Sequence, residues 1–171
     1  DFQLKAVPVL AGAVRAITTG TACSGAGFSP DGSRIAFLNS DNQLLLAQAD
    51  GSQARVLTTA QGGGFVDACW NNGPALPYHA PAWSPDGSMI AVLLGPATGD
   101  MYVQTVRVSD GSIHNLGPGL QSPDCDLNVR LVCSGLVFTV TRPESDPPQL
   151  WEISYPGGQL RRLTSDLQGY L

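Results

Sequence analysis

The chain has 171 residues, of which 43% are hydrophobic and 13% are charged, and its formal net charge at pH 7 is −5. This acidic balance gives no electrostatic basis for binding nucleic acid or an anionic membrane surface. No apolar run approaches the roughly 18 residues of a membrane span, and we expect no signal peptide, so the chain is either mature or cut from something longer. Its 20 glycines and 13 prolines are typical of a turn-rich β protein.

The first unit is predicted at residues 21–59 and carries the motif "FSPDGSRIAF" at residues 28–37. In Ser29-Pro30-Asp31-Gly32 the proline presets φ for a type I turn and the glycine takes the left-handed conformation that follows. The strand after it, "RIAFL", is a continuous apolar run without polar alternation, which predicts burial on both faces. A second turn at 50–52 and the tail "RVLTT" complete the unit. The tail "RAITT" at 15–19 predicts that residues 1–20 are the outer half of another unit.

A long loop at residues 60–80 is predicted between the first and second units. Connections of this kind usually take about 2–6 residues, so a loop of this length indicates a function or a covalent staple. It contains Phe65, Trp70 and Tyr78, which are side chains that serve well as contact anchors for a partner. The alternative is that these aromatic side chains fold back and cover the edge of their own sheet.

The second unit, at residues 81–117, repeats the motif as "WSPDGSMIAV" at 83–92 and has a second Asp-Gly-Ser turn at 110–112. Trp83 occupies the repeat position of Phe28 and is therefore interpreted as a packing residue. In these two units the strands are predicted at 34–39, 43–48, 89–94 and 102–108, with almost no helix in the chain.

The third unit is predicted at residues 118–166, with strands at 136–141 and 149–154, and residues 167–171 as the start of a further unit or a tail. Ser122-Pro123-Asp124 is interpreted as its first turn, in which residues 125–133 replace the glycine as an insertion at the hairpin tip. Leu127, Val129 and Leu131 alternate with polar residues in this insertion. They could dock on a partner, or the apolar side of the insertion could pack on its own sheet.

Self-similarity at this period favours a β-propeller, because each four-stranded sheet must bury its faces against its neighbours. The fold class is thus all-β: a partial β-propeller of antiparallel blades, about three full blades and an outer half blade. Propellers typically need about four to eight blades. Three explanations stay open: a piece of a larger propeller, a half-propeller completed by another copy or chain, and a compact four-bladed closure.

The four cysteines are expected to form two disulfides in an oxidising compartment, since none sits in a Cys-x-x-Cys pair; the alternative is four buried free thiols. Cys23 and Cys69 both lie in loops that link one blade to the next, and such loops share a face of a propeller. Cys125 and Cys133 bracket the predicted insertion, whose ends must be close if the flanking strands pair.

No local signal for catalysis is found. His79 and His114 are interpreted as surface or packing residues, and no Gly-x-Ser-x-Gly elbow or phosphate-binding glycine loop occurs. Asp124 and Asp126 lack the spacing of an EF-hand and are interpreted as turn residues rather than calcium ligands. We predict no catalytic residues, no metal and no cofactor.

The pattern "(W/F)SPDG-x-x-IA(F/V)", followed by a hydrophobic strand, "DG" and "R-x-LT", resembles the TolB-type β-propeller repeat, a relative of the WD-type repeat. The resemblance covers about residues 10–166. Such propellers occur in periplasmic TolB, in the gating domains of prolyl-oligopeptidase-like enzymes and in extracytoplasmic domains of bacterial Ser/Thr kinases. The segment "LWEISYPGGQLRRLTSDLQGYL" is especially similar to the kinase group. The resemblance implies a fold and not a mechanism.

Two functions remain. The first is an extracytoplasmic, periplasmic or secreted, binding or scaffold module without catalysis: a sensor, an adaptor or a subunit of an envelope complex. Its partner would be another protein chain or another copy of itself, and any membrane association would go through a partner or a missing anchor. The alternative is the gating propeller of a prolyl-oligopeptidase-like serine peptidase whose catalytic domain is not in this chain.

Overall fold

The computed structural model describes residues 5–6, 13–17, 26–61, 64–65, 80–95, 102–116, 130–132, 135–140, 149–154 and 157–165. All the regular elements in these ranges are β-strands. The same ranges hold no helix of the length and apolar character that a membrane crossing requires. The six strands predicted above are all present, and their observed ends lie within one residue of the predicted ends.

The strands are short and follow one another in chain order. They are β1 Lys5–Ala6, β2 Arg15–Ala16, β3 Gly27–Phe28, β4 Arg34–Leu38, β5 Gln43–Gln48, β6 Arg55–Thr59, β7 Gly64–Phe65, β8 Ala82–Trp83, β9 Met89–Gly95, β10 Tyr102–Arg107, β11 Ile113–Asn115, β12 Arg130–Val132, β13 Gly135–Val140, β14 Gln149–Ser154 and β15 Leu160–Arg162.

These strands form antiparallel sheets of sequential neighbours. The first sheet has the order β3-β4-β5-β6, the second has β8-β9-β10-β11 with β7 also paired to β9, and the third has β12-β13-β14-β15. Strands β1 and β2 form a separate antiparallel pair. The first strands of the three sheets lie next to each other, because β3 contacts β8 and β8 contacts β12. Four-stranded antiparallel sheets whose first strands adjoin in series are the arrangement of propeller blades, and the predicted fold class is confirmed.

Apolar residues are buried on both faces of the first sheet. Ala36 and Leu38 of β4 pack with Trp83, Ile90 and other residues of the second sheet in one core cluster. The intervening residues of β4, Ile35 and Phe37, pack on the opposite face with Ile17 and Ala47. A strand that is covered on both sides needs no polar alternation, which explains the continuous apolar runs in the sequence; all seven residues of β9 are buried.

The repeated Ser-Pro-Asp-Gly turns are built from the same hydrogen bonds in the first two sheets. The amide of Gly32 donates to the carbonyl of Ser29 at 2.8 Å, and Gly32 has φ 71°. The hydroxyl of Ser29 donates to Asp31 at 2.6 Å and accepts from the amide of Arg34 at 2.9 Å. The second sheet repeats these bonds at the equivalent residues Ser84, Asp86 and Met89. Local side-chain chemistry therefore fixes both hairpins.

The first turn of the third sheet differs from the prediction. Strand β12 lies inside the segment 125–133 and pairs with β13, with Leu131 opposite Leu136. This register matches Phe28 opposite Ile35 and Trp83 opposite Ile90. Arg130–Val132 is therefore the first strand of the sheet. The predicted equivalence of Ser122-Pro123-Asp124 with the turn is wrong, since that triplet precedes the first strand instead of following it.

Part of the long loop returns to a sheet. Gly64–Phe65 pairs with the far end of β9, where Phe65 lies opposite Leu94. Strand β8 pairs with the same strand nearer to its start. At this point the backbone of the loop lies along the edge of the second sheet, as in the alternative stated for the loop aromatics. Trp70 and Tyr78 lie outside the described residues.

Candidate functional site

Trp83 shows how the second sheet packs on the first. Its side chain is 7% exposed, and its indole nitrogen donates a hydrogen bond to the carbonyl of Gly27 at 2.8 Å. The guanidinium carbon of Arg34 lies 5.2 Å from the centroid of the indole ring, within cation–π range. The ring is thus covered by strand backbone and by a cation, both from the first strands of the preceding sheet.

Phe28 holds the same repeat position in the first sheet but is 54% exposed. The register is the same, because Phe28 lies opposite Ile35 on β4 as Trp83 lies opposite Ile90 on β9. A phenylalanine side chain is largely apolar, and leaving half of it in water forgoes burial that contributes on the order of 1 kcal/mol or more. We call the surface around Phe28 on β3 the Phe28 face, and it is the candidate functional site.

On this side of the first sheet the described core cluster is centred on β4 and β5, and Phe28 on β3 is not one of its members. Ile17, which directly follows β2, packs with Ile35 and Phe37 on that side. The described residues contain only two strands, β1 and β2, before the first sheet. By comparison with the second sheet, strands equivalent to β3 and β4 would have to cover Phe28, and none of the described strands does so.

The aspartate carboxylates of the turns accept hydrogen bonds from residues of their own turns. Hydrogen bonds from the Ser29 hydroxyl and from the amide and hydroxyl of Ser33 lower the pKa of Asp31 to about 2. The pKa of Asp86 is lowered in the same way, first by the Ser84 hydroxyl and then by Ser88. The amide of Ser112, which donates to Asp110 at 2.9 Å, lowers the pKa of Asp110. A carboxylate that is held ionised by its own turn is a weak general base at neutral pH, so these groups are best explained as structural.

The histidines and aspartates considered above as catalytic or calcium-binding candidates form no cluster within the described ranges. His114 lies exposed on β11, and the described residues bring no three histidine, cysteine, aspartate or glutamate side chains together as a potential metal site. His79, Asp124 and Asp126 lie outside the described residues.

The predicted partner-binding residues lie on separate elements or outside the described residues. The backbone of Phe65 is in β7 at the edge of the second sheet, and that of Leu131 is in β12 of the third sheet. Leu127 and Val129 are not among the described residues, and neither are Cys23, Cys69, Cys125 and Cys133, so both disulfides stay predictions. For Cys125–Cys133 the argument from paired flanking strands no longer applies, because β12 itself lies between these two cysteines.

Sequence reasoning missed the Phe28 face although a signal was present. The motif alignment placed Phe28 and Trp83 at one position, and the residues before the first unit were predicted to supply only outer strands. Together these observations indicate that the residue at this position of the first sheet needs cover from strands outside its own unit.

Comparison with known proteins supports the fold alone. No protein-family model and no curated protein sequence matches the chain. Among solved structures, TolB from Acinetobacter baumannii is similar over 95% of this chain and 37% of its own, with a TM-score of 0.68 and 17% identity. A protein described as TolB from Agrobacterium tumefaciens is similar over 94% of this chain and 55% of its own, with a TM-score of 0.69 and 19% identity. Dipeptidyl peptidase 4 from Porphyromonas gingivalis is similar over 91% of this chain and 27% of its own, with a TM-score of 0.59 and 14% identity. The chain has a TolB-like β-propeller fold and spans 37% and 55% of the two TolB chains.

Proposed function

We propose that this propeller module is a non-catalytic binding or scaffold module that joins another protein chain, or a second copy of itself, through the Phe28 face. The observation that carries the proposal is the contrast at one repeat position, where Trp83 is 7% exposed and Phe28 is 54% exposed. Because the equivalent residue Trp83 is covered by strands of the preceding sheet, we infer that Phe28 is likewise covered when the module is joined to its partner.

The surroundings of Trp83 indicate what kind of segment would cover Phe28. The indole is covered by the carbonyl of Gly27 and by the guanidinium of Arg34, which belong to the first two strands of the preceding sheet. A partner that supplies two paired strands would reproduce this cover. Phenylalanine has no N–H to donate, so apolar burial would supply most of the attraction at this position.

An extracytoplasmic location is part of the proposal. It is supported by the even number of cysteines without metal-type spacing and by the resemblance of the repeat to TolB-type propellers. The sensor, adaptor and structural-subunit roles all remain within the proposed function, because each requires a surface for another chain.

Sedimentation velocity over a range of protein concentrations tests the Phe28 face. We expect the wild-type chain to associate as concentration rises and F28S to remain monomeric with an almost unchanged melting temperature. V56S is the matched control, since Val56 is a 45% exposed apolar residue on β6 of the same sheet; it should associate like the wild type. A wild-type chain that stays monomeric, and that binds a hydrophobic dye no better than F28S, would contradict the proposal.

The alternative function, gating of a serine peptidase, is decided by the full-length gene. A Gly-x-Ser-x-Gly catalytic domain in the same open reading frame would replace the present proposal with a gating propeller. An upstream kinase or membrane anchor would support a sensor, and the absence of both would leave an adaptor or an envelope subunit.

A further inference from the structure

A cavity of about 900 Å³ lies where the first two sheets meet at the end that carries their turns, and its lining continues over the end of β11. Its described lining includes three arginines, Arg34, Arg55 and Arg107, and no aspartate or glutamate. The whole chain has nine lysines and arginines against 14 acidic residues. A third of the cations of an acidic protein therefore surround one cavity.

The three guanidinium groups differ in how they are held. Arg34 is half-buried and is fixed against the indole ring of Trp83. Arg107 forms an ion pair with Asp110 at 3.3 Å, in which both side chains are about half exposed. Arg55 is exposed at the start of β6, and the ion pairs of the described residues, Arg107–Asp110 and Arg161–Glu152, do not include it. Arg55 and Arg34 are thus cations without an ion-pair partner in these ranges.

The carboxylates of the neighbouring turns do not neutralise these two arginines by direct pairing. Asp31 is near enough for Arg34 to lower its pKa slightly, but the oxygens of Asp31 accept hydrogen bonds from Ser29 and Ser33. Asp86 accepts from Ser84 and Ser88 in the same way. Among the described residues no ion pair joins either carboxylate to Arg34 or Arg55, so the guanidinium groups keep donors for a ligand.

Polar groups on the outer strand add to the same lining. The Oδ1 atom of Asn115 accepts a hydrogen bond from Gln104 at 2.9 Å, which leaves the amide nitrogen of Asn115 as a donor. Ser109 and His114 also line the cavity. Proteins bind carboxylate and phosphate oxygens with the forked guanidinium group of arginine and with neutral hydrogen-bond donors.

We propose that this cavity binds a small-molecule anion that presents carboxylate or phosphate oxygens, with Arg55 and Arg34 as its main recognition groups. A volume of about 900 Å³ lies within the range of roughly 300–1,000 Å³ that is usual for small-molecule sites. The site is separate from the Phe28 face, because Phe28 is not among its lining residues.

Isothermal titration calorimetry with inorganic phosphate and with citrate, at constant ionic strength, tests the site. At least one of the two anions should bind the wild-type protein, and R55Q should weaken that binding about tenfold, the effect of losing one charge-assisted hydrogen bond. Binding of phosphate alone would assign the phosphate class, and binding of citrate alone would assign the carboxylate class.

R162Q is the matched control. Arg162 is an exposed arginine of β15 and does not line the cavity, so its replacement removes the same charge elsewhere. Binding by R162Q should equal that of the wild type. Equal weakening by R55Q and R162Q would show a general charge effect and overturn the site, as would a wild-type protein that binds neither anion.

Discussion

Gly111 lies against the carbonyl oxygen of Leu57, so closely that a Cβ atom added to Gly111 would overlap that oxygen. Gly51 is related to Ile17 in the same way. Leu57 and Ile17 are the third residues of the tails "RVLTT" and "RAITT". In both cases the second turn of one sheet therefore packs against the repeated tail of the unit before it. The sequence repeat thus corresponds to a contact between units that is also repeated.

Replacing Gly111 with alanine is predicted to destabilise the protein by more than the backbone effect alone. Gly111 and Gly32 have nearly the same positive φ, 73° and 71°, but a Cβ on Gly32 would meet no atom within 4 Å. G32A should cost about 1–2 kcal/mol for the left-handed backbone. G111A should cost clearly more, because the turn must move away from Leu57. Urea unfolding of the two variants measures the difference, and equal losses would refute the contact.

Acid is predicted to weaken the Ser-Pro-Asp-Gly turns over a defined range of pH. The pKa of Asp31 is lowered from 3.8 to about 2 by Ser29 and Ser33. Below about pH 4 the unfolded chain takes up a proton on this group that the folded chain does not, so the free energy of unfolding falls until the pH drops below about 2. The stabilisation is complete above this range.

Urea midpoints measured between pH 5 and pH 2 check the role of Asp31. D31N should be less stable than the wild type at pH 5, and its midpoint should depend less on pH through the acid range. D41N removes the same charge from an exposed position on the adjacent turn and serves as the control. If D31N and D41N follow the pH dependence of the wild type equally, the hydrogen bonds of Asp31 do not stabilise the fold.

The strands and turns of the first two units could be predicted because their signals are local. A Pro-Asp-Gly turn and the apolar run after it specify β4 and β9 without reference to the rest of the chain. The first strand of the third unit could not be found in this way, since Ser122-Pro123-Asp124 imitates the motif, whereas the sequence between β12 and β13 carries none of it.

The features of the Phe28 face and of the arginine-lined cavity depend on contacts between units, so they are harder to predict from the sequence. The pairing of Gly64–Phe65 with β9 joins residues that are about thirty positions apart, across a long loop. The exposure of Phe28 and the grouping of Arg34, Arg55 and Arg107 around one cavity also require the packing of whole sheets. Composition indicated an acidic chain and gave no sign that a third of its cations would share a cavity.

Non-reducing peptide mapping is predicted to show Cys23 joined to Cys69. Both cysteines were predicted in connections between units that share a face of the propeller, and neighbouring units would place them side by side. The bond would fix the long loop, whose residues Gly64–Phe65 already pair with β9. A peptide that links Cys23 to Cys125 or Cys133 would refute this pairing.

Replacing Trp83 with phenylalanine is predicted to weaken the packing of the second sheet on the first while keeping an aromatic ring at the site. The variant gives the second unit the residue that the first unit has at this position, Phe28. It loses the hydrogen bond from the indole nitrogen to the carbonyl of Gly27 and part of the attraction to Arg34. Because Trp83 is buried, the freed carbonyl gains no full access to water, and we expect a loss of about 1–3 kcal/mol in the free energy of unfolding.

F28L, at the exposed equivalent position, should change this free energy by less than about 0.5 kcal/mol. If both variants have the same small effect in urea unfolding, Trp83 does not join the two sheets as described.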